Sequence, residues 1–178
     1  LNDYYDPIIK LRRNKLLKEF KKYTFYKVDI SSEKKVEAIF KKEKPSSVIH
    51  LAAQAGVRYS LINPWVYAKS NHLGTLSVFE AARKTGIKRV LYASSSSVYG
   101  KNKKMPFKES HVTDTPMSLY AATKKANEVM AHAYNHLFDM DMIGFRFFTV
   151  YGPWGRPDMA FFNFIDNIQK GNPITVYN

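Results

Sequence analysis

Cysteine is absent from this chain. Disulfides and thiolate metal sites are therefore excluded, and the absence fits a reducing compartment, so a cytoplasmic protein is expected. No apolar run approaches the roughly 20 residues a membrane-spanning helix needs, and no stretch has the pattern of a secretory leader. Acids are scarce: 15 Asp and Glu stand against 28 Lys and Arg, a net charge of +13. Such a balance suits anionic partners, whether nucleic acid, a charged surface or a small anion. The lysines gather, however, in short stretches between Lys10 and Lys22, Lys34 and Lys44, and Lys101 and Lys104. These read as solvated helix faces and loops, so neither a nucleic-acid partner nor a membrane is expected. Glycine is sparse as well, with 8 in 178 residues. None falls in the G-x-x-G-x-x-G spacing by which a strand-to-helix turn takes a pyrophosphate.

What is present is enough for one globular domain over residues 1–178, with 45% hydrophobic and 24% charged residues. A polar start leads into a basic helix that ends near Lys22. Residues 23–30 read as a strand that carries the acid Asp29. Ser31 or Ser32 caps a helix over 33–44, and residues 47–53 form a short apolar run of the kind buried in parallel sheets. Asn63-Pro64 opens a long helix through Arg83, with Gly86 as its stop. Strands follow at 89–94 and 142–148, separated by a helix over 118–138. Leu119, Ala122, Ala126, Val129, Met130, Ala133 and Leu137 mark its apolar positions. A last helix spans 158–170, and Pro173 to Val176 is strand-like. The chain starts at Leu1 and stops at Asn178, and both ends read as cut from a longer protein. Strands alternating with helices predict an α/β fold with a parallel sheet and helices on both faces. Ligands then bind beyond the carboxyl ends of the strands.

Two motifs at such ends carry chemistry. The first is Ser94-Ser95-Ser96-Ser97-Val98-Tyr99-Gly100, a serine run that closes an apolar strand. The second is Tyr120-Ala121-Ala122-Thr123-Lys124 near the start of a helix. Tyr120 and Lys124, four apart, share a helix face. A free phenol with a pKa near 10 is a poor base at neutral pH, and a neighbouring ammonium favours the phenolate. Hydroxyl, phenol and cation together suit removal of a proton from a carbinol while a hydride leaves the same carbon. His50, inside an apolar run, reads as a core histidine. Trp154 and the Phe161-Phe162-Phe164 cluster read as packing. His132 and His136 have ligand-like spacing without a third partner, so no metal site is expected.

These motifs, with Arg146-Phe147-Phe148-Thr149-Val150-Tyr151-Gly152-Pro153, resemble the extended short-chain dehydrogenase/reductase family of nucleotide-sugar epimerases and dehydratases. Residues 54–60 (Gln-Ala-Gly-Val-Arg-Tyr-Ser) and 153–160 (Pro-Trp-Gly-Arg-Pro-Asp-Met-Ala) are similar to the UDP-glucuronate 4-epimerases of bacterial capsule type. The resemblance covers essentially the whole chain. It implies NAD as cofactor, a UDP-sugar as substrate and a homodimer as the complete protein. It assigns Tyr120 as the base, Lys124 as its activator and ribose contact, and Ser95 as the hydroxyl on the substrate oxygen. Asp29, Ala52, Ala53, Gln54 and Asn71, besides Tyr120 and Lys124, then meet the cofactor. Ser96, Ser97, Thr149, Arg58 and Arg156 are the substrate candidates, the arginines because a guanidinium suits a carboxylate.

The resemblance also implies what this sequence does not contain. The glycine-rich strand-turn-helix and the second strand are missing, which makes the expected fold an incomplete Rossmann-like, doubly wound parallel sheet lacking its first two strands. In the order 3-2-1-4-5-6 those two belong beside the 23–30 strand, in the middle of the sheet. This stretch alone is therefore not expected to bind NAD tightly, and tight binding by the 178-residue chain would sink that expectation. Alternatives within the class are a UDP-glucose or UDP-N-acetylglucosamine 4-epimerase and a nucleotide-sugar 4,6-dehydratase. The dehydratases carry an Asp-Glu pair where this chain has Ser96-Ser97. A non-catalytic basic binding fragment is the alternative of a different class, and a salt-steep affinity for DNA would mark it.

Overall fold

The computed structural model describes residues 2–176, which group into two compact units. One is Val28–Phe148; the other joins the two ends of the chain, up to Lys27 and from Thr149 onward.

The larger unit is built on three parallel strands in the order β1–β2–β3: β1 is Ser47–His50, β2 Arg89–Ala93 and β3 Asp141–Phe145. Ile49, Leu91 and Ile143 stand in register across it. Three main helices run between or before the strands: α2 (Glu33–Glu43), α5 (Gly74–Lys84) and α6 (Leu119–Phe138). Two short helices, α3 (Tyr59–Ile62) and α4 (Pro64–Tyr67), precede α5. Each parallel crossover is right-handed by preference, so the helices following successive strands land on one face. Period-2 alternation along β2 sends Val90 and Tyr92 to that face, both nearly fully buried, against Phe79 and Ala82 of α5 and Ala131 and Tyr134 of α6. Val36 of α2 closes a second cluster with Val78 and Ala81. The opposite face, at Ile49 (66% exposed) and Ile143 (40%), carries no helix of this unit. Helices on both faces were expected; within this unit they cover one.

Other expectations change as well. Residues 23–30 form no strand: no ladder pairs them, because a strand exists only with a neighbour, and the neighbours expected for it are not in this sequence. Residues 173–176 likewise join no sheet among the described residues. On α6 the buried stripe is Ala121, Thr123, Lys124, Asn127, Ala131 and Tyr134, half of it Thr, Lys and Asn. None of the apolar positions read from the sequence is fully buried: Met130 packs half-buried against the core, while Val129 is 58% and Leu137 65% exposed.

The expected helix from 63 to 83 is interrupted. Ala68–Leu73 is a π-helical turn between α4 and α5. Such a turn holds one surplus residue and widens the helix locally. At the end of β2 the chain enters a 3-10 turn, Ser96–Tyr99, which Gly100 terminates at φ 52°. A Cβ there would stand 1.9 Å from the Thr115 carbonyl oxygen, so only glycine fits.

In the smaller unit, α1 (Pro7–Leu17) begins with Asp6 accepting from the Ile8 amide at 2.9 Å and Pro7 in the first turn. Arg13 donates to the Tyr5 hydroxyl and to the Gly155 carbonyl, tying α1 to the 152–158 loop that precedes α7 (Ala160–Gln169).

Candidate active site

Strand β2 and helix α6 place the three groups singled out in the sequence. Ser95 is extended and caps the 3-10 turn: its Oγ accepts from the Ser97 amide at 3.2 Å and from the Ser97 hydroxyl at 2.9 Å. With Oγ accepting twice, its own proton is the one left to donate. Helix α6 is started by Ser118, whose side chain accepts from the Ala121 amide at 3.1 Å. That cap fixes where the helical face bearing Tyr120 and Lys124 begins. Lys124 is 4% exposed and its Nζ donates to the Ala93 carbonyl at 2.7 Å. Burial lowers its pKa to about 8, so the ammonium persists at neutral pH but is poised near the point of losing its proton. The Tyr120 ring meets Tyr67 edge-on, centroids 6.1 Å apart. Tyr67 is fully buried and its hydroxyl is turned to the carbonyls of Ala55 and Gly56.

The loop after β1 is held by the π-turn. Asn71, 0% exposed, accepts from the Gln54 amide at 2.7 Å and donates back to the Gln54 carbonyl at 3.0 Å. Its second amide hydrogen goes to Thr123 Oγ1 at 3.1 Å, and Thr123 passes its own proton to the Tyr120 carbonyl at 2.8 Å. Only one orientation of the Asn71 amide satisfies all three contacts. One side chain therefore couples the 52–54 loop to the helix turn that carries Tyr120. Gln54 is buried, while Ala52 and Ala53 stay exposed and open to a ligand. Asp29 is about half exposed, pairs with Lys69 at 2.9 Å and caps Ser31 through its amide and hydroxyl. The hydrogen bond from Lys69, then those from Ser31, hold its pKa near 2, so it is an anion throughout the working range.

Beneath Lys124 lies a buried polar row. His50 Nε2 and Thr75 Oγ1 are 3.0 Å apart, and Asn127 donates to Thr75 at 3.2 Å. His50 is thus a satisfied core histidine, as its place in an apolar run implied. Burial, with the Lys124 charge adding to it, lowers its pKa from 6.5 to about 4. The unfolded chain then binds a proton that the folded chain refuses between those values, so stability is lost as the pH falls from about 6.5 to about 4. The loss is on the order of 3 kcal/mol. A His50→Gln variant should show a flatter melting temperature across that window. Parallel curves for the two proteins would refute this account.

The remaining candidates divide between the units. Ser96 and Ser97 are half-buried beside Ser95, and the Ser96 amide donates to the Phe147 carbonyl at 2.9 Å. Arg58 is exposed just before α3. Thr149 and Arg156 belong to the smaller unit, where Arg156 is engaged edge-on by Asp158 at 2.9 and 2.6 Å. Tyr67, Thr123, Glu128 and Arg146 emerge only from the structure as parts of this site. For Glu128 a signal was present: Tyr120, Lys124 and Glu128 repeat every four residues on one helix face.

A parallel α/β sheet with a serine hydroxyl, a tyrosine and a buried lysine gathered beyond the end of a strand is the architecture of the short-chain dehydrogenase/reductase class. The comparisons with known proteins narrow this. The chain belongs to the NAD dependent epimerase/dehydratase family, whose model matches residues 2–178. It is 56% identical over 178 residues to an uncharacterised protein of Methanocaldococcus jannaschii, covering 100% of this chain and 55% of the relative. It is 49% identical over 177 residues to UDP-glucuronate 4-epimerase 1 of Arabidopsis thaliana, covering 99% and 41%. The UDP-glucuronic acid 4-epimerase of Bacillus cereus, solved with UDP-glucuronic acid and NAD, superposes with a TM-score of 0.87 at 30% identity, covering 96% of this chain and 53% of that one. The chain thus spans about half the length of the curated relatives it matches.

Proposed function

We propose that the full-length protein carrying this chain is an NAD-dependent 4-epimerase of a UDP-sugar, converting UDP-glucuronate to UDP-galacturonate. The observation that carries the reading is the buried Lys124 ammonium, one helical turn from Tyr120 and bonded to the strand end that leads into Ser95. Family membership and the likeness to UDP-glucuronate 4-epimerases support the substrate.

The residues present fit one part of the cofactor. The ionised Asp29 carboxylate suits an adenosine hydroxyl or amine, the exposed Ala52–Ala53 backbone suits a flat ring laid on the loop, and Lys124 suits a ribose hydroxyl. Bound NAD supplies the acceptor for the C4 hydride. Tyr120 takes the proton of the 4-hydroxyl, its phenolate favoured by the Lys124 charge. Ser95 donates its free hydroxyl proton to the same oxygen and stabilises it as the carbonyl forms. Once the 4-keto sugar presents its other face, Tyr120 would return the proton to the same oxygen. Arg58 and Arg156 are the candidates for the glucuronate carboxylate, and Thr149, Ser96 and Ser97 for sugar hydroxyls. The outward apolar stripe of α6, with Val129 and Leu137 exposed, supports a homodimer as the assembly.

The test is an assay of the full-length protein on UDP-glucuronate and UDP-glucose. UDP-galacturonate should form with a kcat/KM at least about tenfold above that for UDP-glucose, the scale of one well-placed charged contact. Preference for UDP-glucose would overturn the substrate assignment, and release of water from the sugar would indicate a dehydratase.

A further inference from the structure

The end of β2 is gripped by α6 at two consecutive residues. Lys124 Nζ holds the Ala93 carbonyl at 2.7 Å, and one turn further along the helix Glu128 Oε1 accepts from the Ser94 hydroxyl at 2.6 Å. On the far side of Ser95, the Ser96 amide is tied to the Phe147 carbonyl at 2.9 Å. Ser95 is therefore the one residue between two fixed neighbours. Glu128 is itself fixed. Arg146, just past β3, donates Nε to Oε1 at 2.9 Å and Nη2 to Oε2 at 3.0 Å, a two-pronged pairing that sets the plane of the carboxylate. The same guanidinium donates to the Glu109 carbonyl at 3.0 Å and lies 5.0 Å over the Tyr99 ring. Both charged side chains are largely shielded, at 20% and 14% exposure. Burial opposes ionisation of Glu128, but the hydrogen bonds from Arg146 and Ser94 and the Arg146 charge outweigh it and hold the carboxyl below its usual range.

A shielded ion pair is a poor source of stability, since apolar residues of the same shape commonly do as well or better. It is a good source of geometry. We propose that Glu128, oriented by Arg146, is a positioning residue that sets the placement of Ser95 against Tyr120 through the Ser94 hydroxyl. This rests on the reading that Ser95 and Tyr120 act on one substrate oxygen. A hydroxyl that must stabilise a developing carbonyl is sensitive to shifts below 1 Å, and such shifts lower turnover by up to about a hundredfold without loosening binding.

The full-length protein tests this with three variants. Ser94→Ala removes only the hydroxyl and leaves the Glu128–Arg146 pair in place. It should lower kcat about tenfold with KM for the UDP-sugar within about twofold. Ser94→Thr, which restores the hydroxyl, should return kcat to within about threefold of the parent. Glu128→Gln should lower kcat further and speed amide hydrogen exchange at Ser96 and Ser97. A Ser94→Ala protein that turns over at the parental rate overturns the proposal even if Glu128→Gln does not fold. A loss confined to KM does the same, as does unchanged exchange at Ser96 and Ser97 in a folded Glu128→Gln protein. If the parent epimerises no UDP-sugar, the functional reading falls with it, and the exchange measurement still decides whether Glu128 holds the strand end.

Discussion

A Tyr120→Phe variant of the full-length protein should lose about three orders of magnitude in turnover and keep its bound NAD. The substitution is close to neutral for packing. The Tyr120 ring meets Tyr67 edge-on at 6.1 Å, and a phenyl ring preserves that contact. Tyr67 is locked in turn by its hydroxyl on the Ala55 and Gly56 carbonyls, so the ring that Tyr120 packs against stays in place. What disappears is the phenolic oxygen, which in the proposed mechanism accepts the 4-hydroxyl proton in the first half-reaction and donates it back in the second. The checks are the steady-state rate on UDP-glucuronate and the NAD released on denaturation. Turnover within tenfold of the parent would remove Tyr120 from its role, and loss of NAD would show that the change acted through binding.

Lys124→Met should separate activity from stability. Without the ammonium the proposed base loses the cation that favours its charged form, and turnover at neutral pH should fall by about a hundredfold or more. The fold should gain. Lys124 is 4% exposed and burial lowers its pKa from 10.5 to about 8, so the folded chain bears a penalty on the order of 3 kcal/mol for keeping it charged below pH 8. Methionine removes that penalty and leaves the Ala93 carbonyl unpaired, which costs about 1–2 kcal/mol. The net is a stabilisation of about 1–2 kcal/mol and a melting temperature several degrees higher. The parent should also gain stability as pH rises from about 8 to about 10.5, where the unfolded chain still binds the lysine proton and the folded chain has released it. The variant should lack that rise. A destabilised variant would mean that the Ala93 bond outweighs the burial of the charge.

Much of this could be read from local signals. The start of α6 follows from the Ser118 cap, and Tyr120 with Lys124 follows from a four-residue repeat, because both are decided within one turn of helix. Strand β2 follows from Arg89 to Ala93 for the same reason. Residues 23–30 have the composition of a strand, but a ladder is a property of two segments, and no local pattern supplies the second. The buried face of α6 was misread because apolar residues mark it in most helices. Here three of the buried positions are Thr123, Lys124 and Asn127, while Val129 and Leu137 look outward. The Glu128–Arg146 pair was hidden differently: a glutamate on a helix looks like solvent-facing surface, and its partner comes 18 residues later on another element.

The π-turn at Ala68–Leu73 has a consequence beyond the hydrogen bonds of Asn71. A helix with one surplus residue has two phases, rotated against each other by about 100°. Upstream, Tyr67 is set to reach the Ala55 and Gly56 carbonyls; downstream, Thr75, Val78, Phe79 and Ala82 are set to face the sheet. Neither face can be rephased by changing a side chain. What this segment has to preserve is therefore its length more than its letters: substitutions here act one residue at a time, whereas losing a single residue would turn the whole of α5 relative to the loop it supports.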